Sequence, residues 1–254
     1  MVHKINRVGE RFINNEGYEF IIIEYNNNKD VWIEFQDEYK AKVNVRYTQC
    51  QLCNIRNPYH PSVYGVGYIG EGEYKTSINY RPTKQYDCWR SMLERCYDEE
   101  FKKKHPTYSD CFANKETHSF QDFCKWWDNN YYEIEGEQMC LDKDILVKGN
   151  KEYSFDKMIF VPQRINKLFS KNDANRGNLP LGVTYHEQTN KYRARCSVIG
   201  GIEHLGLYNT SEQAFKAYKE FKEAYIKEVA NEYKGRIPNE LYNAMCSWVV
   251  EIDD

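Results

Sequence analysis

One run of residues constrains this chain more than any other. From Lys191 to Ser197, Tyr192, Ala194 and Cys196 fall on one side of an extended strand and Lys191, Arg193, Arg195 and Ser197 on the other, because successive side chains point to opposite faces. The first set is apolar and the second basic. Residues 182–186 before it and 204–208 after it read as two more short strands. Further on, Ala214, Ala217, Tyr218, Phe221 and Tyr225 recur at helical spacing, which predicts an amphipathic helix lying on the apolar face of the sheet, with Ser211 as its N-cap. Thr184, His186, Arg193, Arg195 and His204, together with Lys191 and Ser197, are then left on the exposed face.

The chain has 254 residues, 41% of them hydrophobic and 15% aromatic, enough for one large domain or two to three small ones and too apolar for wholesale disorder. Its net charge of −3 removes bulk basicity as an argument for nucleic-acid binding. Local charge differs. Between Gln163 and Thr210, the basic residues Arg164, Lys167, Lys171, Arg176, Lys191, Arg193 and Arg195 face only Asp173, Glu187 and Glu203. No apolar run approaches the roughly eighteen residues that a membrane span needs, and the first residues lack a hydrophobic signal core. Nine cysteines at irregular spacing fit reduced thiols better than a disulfide framework. A soluble protein of a host-cell cytosol, with no membrane partner, is expected.

The pattern along the chain predicts an α+β fold in three parts. Residues 1–80 carry aromatic and β-branched runs (18–25, 31–35 and 41–45) separated by turn clusters, the signature of a small antiparallel β barrel or meander. A Gly/Pro/Tyr-rich connector, residues 57–72, follows; no Lys-Ser/Thr pair opening a helix comes after its glycines, so it reads as a turn-rich loop rather than a phosphate cradle. Residues 81–170 are mixed α/β. Trp89, Met92, Leu93 and Cys96 mark one helix, and Phe120, Phe123, Cys124 and Trp127 a second. Residues 140–145 and 158–161 look like strands around a turn at 148–150, and Pro162 opens a short helix. Residues 170–178 form the clearest linker, and 180–254 hold the three strands and helix, closed by a last helix through Leu241, Met245 and Trp248.

Two resemblances follow from these residues. Gly182-Val183, Tyr192-x-Ala194 and the run Leu205-Gly206-x-Tyr208-x-Thr210-x-Glu212-x-Ala214-x-x-Ala217-Tyr218 resemble the DNA-binding domain of the plant ethylene-response-factor (Apetala) class, whose relatives occur in phage and mobile-element proteins. That resemblance implies major-groove contact through the exposed sheet face, which falls here on Thr184, His186, Lys191, Arg193, Arg195, Ser197 and His204. Plant members carry several Arg and Trp where this chain has Thr and His, which implies weaker or differently specific contact.

The middle part is similar to the HNH-type endonucleases encoded as phage homing enzymes. The similarity lies in Trp89-x-x-Met92-x-x-Arg95-Cys96-Tyr97, Ser119-Phe120-x-x-Phe123, Leu141-Asp142-Lys143-Asp144-Ile145, Tyr153-Ser154 and Asn166. It implies a nuclease using Mg²⁺ or another divalent cation, with Asp142 and Asp144 as oxygen ligands and His118 as the available imidazole. The pattern departs after Tyr153-Ser154: the family continues with Pro, an acid, Asn and Cys, and this chain has Phe155, Asp156, Lys157 and Met158. A protonated lysine cannot hold a cation. Zinc is not expected, because Cys50-Gln51-Leu52-Cys53 is half a site with no second half.

The expected partner is double-stranded DNA, and no small-molecule substrate is inferred. Three functions remain open: DNA binding with cleavage weakened or lost, which is favoured; metal-dependent DNA cleavage; and binding of a host defence or transcription protein.

Overall fold

The computed structural model describes residues 6–169 and 179–252. The expected linker at 170–178, with Lys171, Asp173 and Arg176, lies outside the described residues. In chain order come β1 (Arg11–Ile13), β2 (Glu19–Asn27), β3 (Asp30–Phe35), β4 (Lys42–Val45), α1 (Tyr47–Gln51), β5 (Ser77–Ile78) and β6 (Arg81–Pro82). Next are α2 (Lys84–Tyr97), α3 (Glu99–Lys104), β7 (Phe112–Ala113), α4 (Phe120–Asn130), β8 (Met139–Asp142), β9 (Glu152–Tyr153), β10 (Ile159–Pro162) and α5 (Gln163–Leu168). The last are β11 (Val183–His186), β12 (Lys191–Val198), β13 (Gly201–Tyr208), α6 (Ser211–Glu232) and α7 (Asn239–Cys246). The fold is α+β.

The chain forms two compact units whose borders differ from the three sequence segments: residues 1–129 with 151–155, and 130–150 with 156–254.

In the first unit, β1 to β4 form an antiparallel meander in sequence order. Of the two alternatives read from the sequence, the meander is the one found, since the sheet ends at β1 and β4 and no barrel closes. Period-two alternation explains its core: Phe20 and Ile22 of β2 and Val31, Ile33 and Phe35 of β3 all point inward and are fully buried. Helix α2 starts at the N-cap Thr83, whose side chain accepts the Tyr86 N–H. It buries Trp89, Met92, Leu93 and Cys96, as their spacing predicts. The Trp89 indole packs tilted against Phe120 of α4, with ring centroids 5.4 Å apart, and its N–H reaches the Thr117 carbonyl at 2.8 Å. The parallel pair β7·β9 brings residues 151–155 into this unit, where Tyr153 is 2% exposed and the Asn114 N–H donates to its carbonyl.

In the second unit, β8 and β10 pair antiparallel and α5 follows β10 directly. Ile145, Ile159, Val161 and Ile165 pack against Ile226, Val229 and Ala230 of α6 and against Leu241 and Met245 of α7. Helix α6 therefore serves two cores. Its first half covers the sheet β11-β12-β13, burying Ala214, Phe215 and Tyr218 over Val183, Ala194 and Cys196. The N-cap is Thr210 rather than Ser211: Thr210 has the extended backbone a cap needs and accepts the Gln213 N–H at 3.3 Å, while the Ser211 hydroxyl turns to Glu212. Among the described residues, no helix is long and apolar enough to cross a membrane.

Candidate nucleic-acid interface

Strand β12 is the centre of the three-stranded sheet, and its pairing fixes which side chains share a face. His186 lies opposite Lys191, Thr184 opposite Arg193, Arg193 opposite Leu207, Arg195 opposite His204, and Ser197 opposite Ile202. The inward set, Ala194 and Cys196, is essentially unexposed beneath α6. All seven residues singled out from the sequence thus fall on the other face. Arg195, Lys191, Ser197 and His204 are exposed there, while Arg193, Thr184 and His186 are half-buried.

Two neighbours on that face lie outside the set read from the sequence, and one of them, Leu207, breaks simple alternation. Leu207 and Ile202 are exposed at 42% and 52% and belong to the same surface as the arginines. Leu207 and His204 share a face although they are three residues apart, because the register shifts between Ala194 and Arg195: Gly206 pairs Ala194 and His204 pairs Arg195, leaving Leu205 unpaired and turned inward. Gly206, with φ at +125°, was the available signal, since a glycine inside a strand pattern marks a bulge.

None of the nine residues on this face is acidic. Among the described residues, neither Arg193, Arg195 nor Lys191 makes an ion pair, whereas Arg164 in the same unit is tied to Glu232 at 2.5 Å. A cationic face without internal neutralisation is chemically suited to an anion that arrives from outside. The planar fork of arginine can bond two acceptors of a guanine edge or of a phosphate. The opposite face of the sheet lies close against α6 at Gly182: with φ at +75°, a Cβ there would lie 2.1 Å from the Tyr218 ring.

The residues expected to carry nuclease chemistry are placed differently. Strand β8 ends at Asp142, so Asp142 and Asp144 are not alternate residues of one strand. Instead Asp142 Oδ1 accepts the backbone N–H groups of Asp144 and Ile145 at 2.9 and 2.8 Å, closing a turn. Burial and the neighbouring Asp144 charge push the Asp142 carboxyl upward, against the pull of those two N–H donors. Asp144 already has a cation of its own: the buried Lys143 ammonium lies 3.1 Å from its carboxylate and donates to the Asn150 carbonyl at 2.8 Å. The Asn150 amide returns the bond to the Lys143 carbonyl at 2.7 Å.

His118 belongs to the first unit and the two aspartates to the second. Its Nε2 lies 3.2 Å from the Ala113 carbonyl and 3.3 Å from the Tyr97 hydroxyl, which itself donates to Ala113 at 3.1 Å. Desolvation holds the imidazole below its ordinary pKa.

One aspartate carboxylate is engaged by two amides and the other by an ammonium. Among the described residues, no group of three His, Cys, Asp or Glu side chains could hold a metal ion. The Cys50 thiol of the CxxC pair is fully buried among the core residues of the first unit and raised to about 11 by burial. Trp126 and Trp127 are 9% and 7% exposed and belong to the core. Compared with protein families, curated proteins and solved structures, the chain matches none.

Proposed function

We propose that this chain is a double-stranded DNA-binding protein of phage or mobile-element type, derived from an HNH-like ancestor and acting in a host-cell cytosol by holding DNA rather than cutting it. The observation that carries this reading is the acid-free outer face of β11-β12-β13, where Thr184, Arg193, Arg195 and His204 are set side by side by strand register. A narrow β surface of this kind can enter a major groove, which admits a two-stranded ribbon. The occupied donors at Asp142 and Asp144 support binding without metal-assisted hydrolysis.

Gel retardation of plasmid and of short duplexes at two salt concentrations tests the proposal. The wild-type protein retards both, and Arg193→Ala/Arg195→Ala weakens binding at least tenfold, since two arginine contacts at about 1–3 kcal/mol each exceed the 1.4 kcal/mol that a factor of ten requires. Where both arginines meet phosphates, the slope of log K against log salt falls by about 1.8. Absence of retardation at low salt, where phosphate contacts are strongest, sinks the reading. Mg²⁺-dependent nicking abolished by Asp142→Ala replaces it with an active nuclease.

A further inference from the structure

The hairpin β5–β6 in the first unit has features that the fold does not require. Ser77 pairs Pro82 and Ile78 pairs Arg81, so Asn79 and Tyr80 are the two turn residues, with φ at +50° and +62°. Two positive φ values define the turn type whose second position ordinarily goes to glycine, since a Cβ is disfavoured there. This chain places a tyrosine at that position, and the ring makes no contact that compensates: Tyr80 is 103% exposed, with Ile78 beside it at 60%. Strain maintained at an exposed tip points to a contact made outside the chain.

The root of the hairpin is tied to the first unit by hydrogen bonds. The buried Gln121 side chain accepts from the Tyr74 N–H at 3.1 Å and donates to the Tyr74 carbonyl at 3.0 Å. The Tyr74 hydroxyl reaches Asp128 at 2.6 Å. Thr83, which caps α2, also donates its hydroxyl to the Lys75 carbonyl at 3.1 Å, and its N–H donates to Thr76. Gly72 is required at the root, since a Cβ would sit 2.1 Å from the Gln121 amide oxygen. Lys75 and Arg81 are exposed on the two arms, and neither makes an ion pair among the described residues.

A finger with a planar ring at its tip, an aliphatic neighbour and a cation on each arm has the chemistry of a base-step wedge. Apolar side chains that enter a duplex unstack one step, aromatic rings stack on any base, and flanking cations hold the phosphates. We propose that the Asn79-Tyr80 tip inserts into bound duplex DNA, the Tyr80 ring stacking on a base at the opened step. The inference rests on the DNA-binding reading above.

Opening a step unwinds the helix, so the test is the linking number of a closed-circular plasmid relaxed by a type IB topoisomerase in EDTA with saturating protein, with retardation measured in parallel. The wild-type protein shifts the topoisomer distribution. Tyr80→Gly, which installs the residue the turn prefers, melts no lower than wild type and still retards the plasmid, but its shift falls at least about twofold. Tyr80→Trp retains the shift. Retardation with equal shifts for wild type and Tyr80→Gly, or with no shift at all, overturns the wedge and leaves DNA binding intact. Loss of retardation by the wild-type protein overturns both.

Discussion

Single residues decide how the proposed interface is presented. Gly182 combines a positive φ with a Cβ direction that points into the Tyr218 ring, so its replacement cannot be absorbed by a rotamer change. Gly182→Ala is expected to destabilise the second unit by about 2–5 kcal/mol, the sum of left-handed strain and overpacking. Denaturant melts read this directly. His118 supplies a pH signature. Its folded pKa lies below the ordinary 6.5, so the unfolded chain binds its proton first as pH falls. Its contribution is therefore fully present above pH 6.5 and is lost progressively below it, toward the lowered value in the fold. The thermal midpoint of wild type should drop between pH 7.5 and 5 by more than that of His118→Gln. Equal drops would show that His118 does not titrate with unfolding. Neither behaviour is visible in a sequence, where Gly182 is only one residue in a motif and His118 belongs to none.

At the scale of elements, β12 and α6 show what periodicity can and cannot specify. Alternation along 191–197 places Ala194 and Cys196 under the helix and the arginines opposite, because backbone geometry alone imposes that order. The bulge at Leu205 breaks the same rule on β13 and sets His204 and Leu207 on one face, which depends on pairing with β12 rather than on β13 itself. Helix α6 also buries Lys222, 8% exposed, facing Cys196 of β12. Desolvation lowers this ammonium below its ordinary 10.5, so the folded state releases its proton before the unfolded state does. Stability should accordingly rise with pH between the lowered value and 10.5. Lys222→Met, which keeps the length of the side chain and removes the charge, is expected to stabilise the unit by about 1–2 kcal/mol and to flatten that pH dependence. A lower melting point for this variant would show that the ammonium finds compensation that its burial conceals.

The whole molecule is divided in a way that its sequence segments do not reveal. Residues 151–155 belong to the first unit while 130–150 and 156–254 make up the second, so the chain passes between the units three times. The C-terminal segment is not self-contained either: Ile226, Val229 and Ala230 of α6 are fully buried against Ile145, Ile159, Val161 and Ile165. Residues 180–254 expressed alone would leave that half of α6 without a partner. They should melt at lower temperature than the full chain and exchange the amide hydrogens around Ile226 and Val229 faster. Protection equal to that in the full chain would make the segment an independent domain after all.

The sequence by itself determined the α+β class, the positions of the longer helices and of most of the longer strands, and the polarity of the two faces of β12, whereas α1, α3, β5, β6, β7 and β9 were not read from it. Those properties follow from local periodicity, 2.0 in a strand and 3.6 in a helix, and local periodicity is written in consecutive residues. Only the tertiary structure decided that Asp142 and Asp144 are taken up by amides and by Lys143, that His118 lies in a different unit, and that Leu207 and Ile202 join the arginine face. It also decided that a tyrosine stands at the end of a hairpin. Each of these depends on which distant residue fills a hydrogen bond or a register position. That choice is made by packing across the chain, and spacing along it does not encode the outcome.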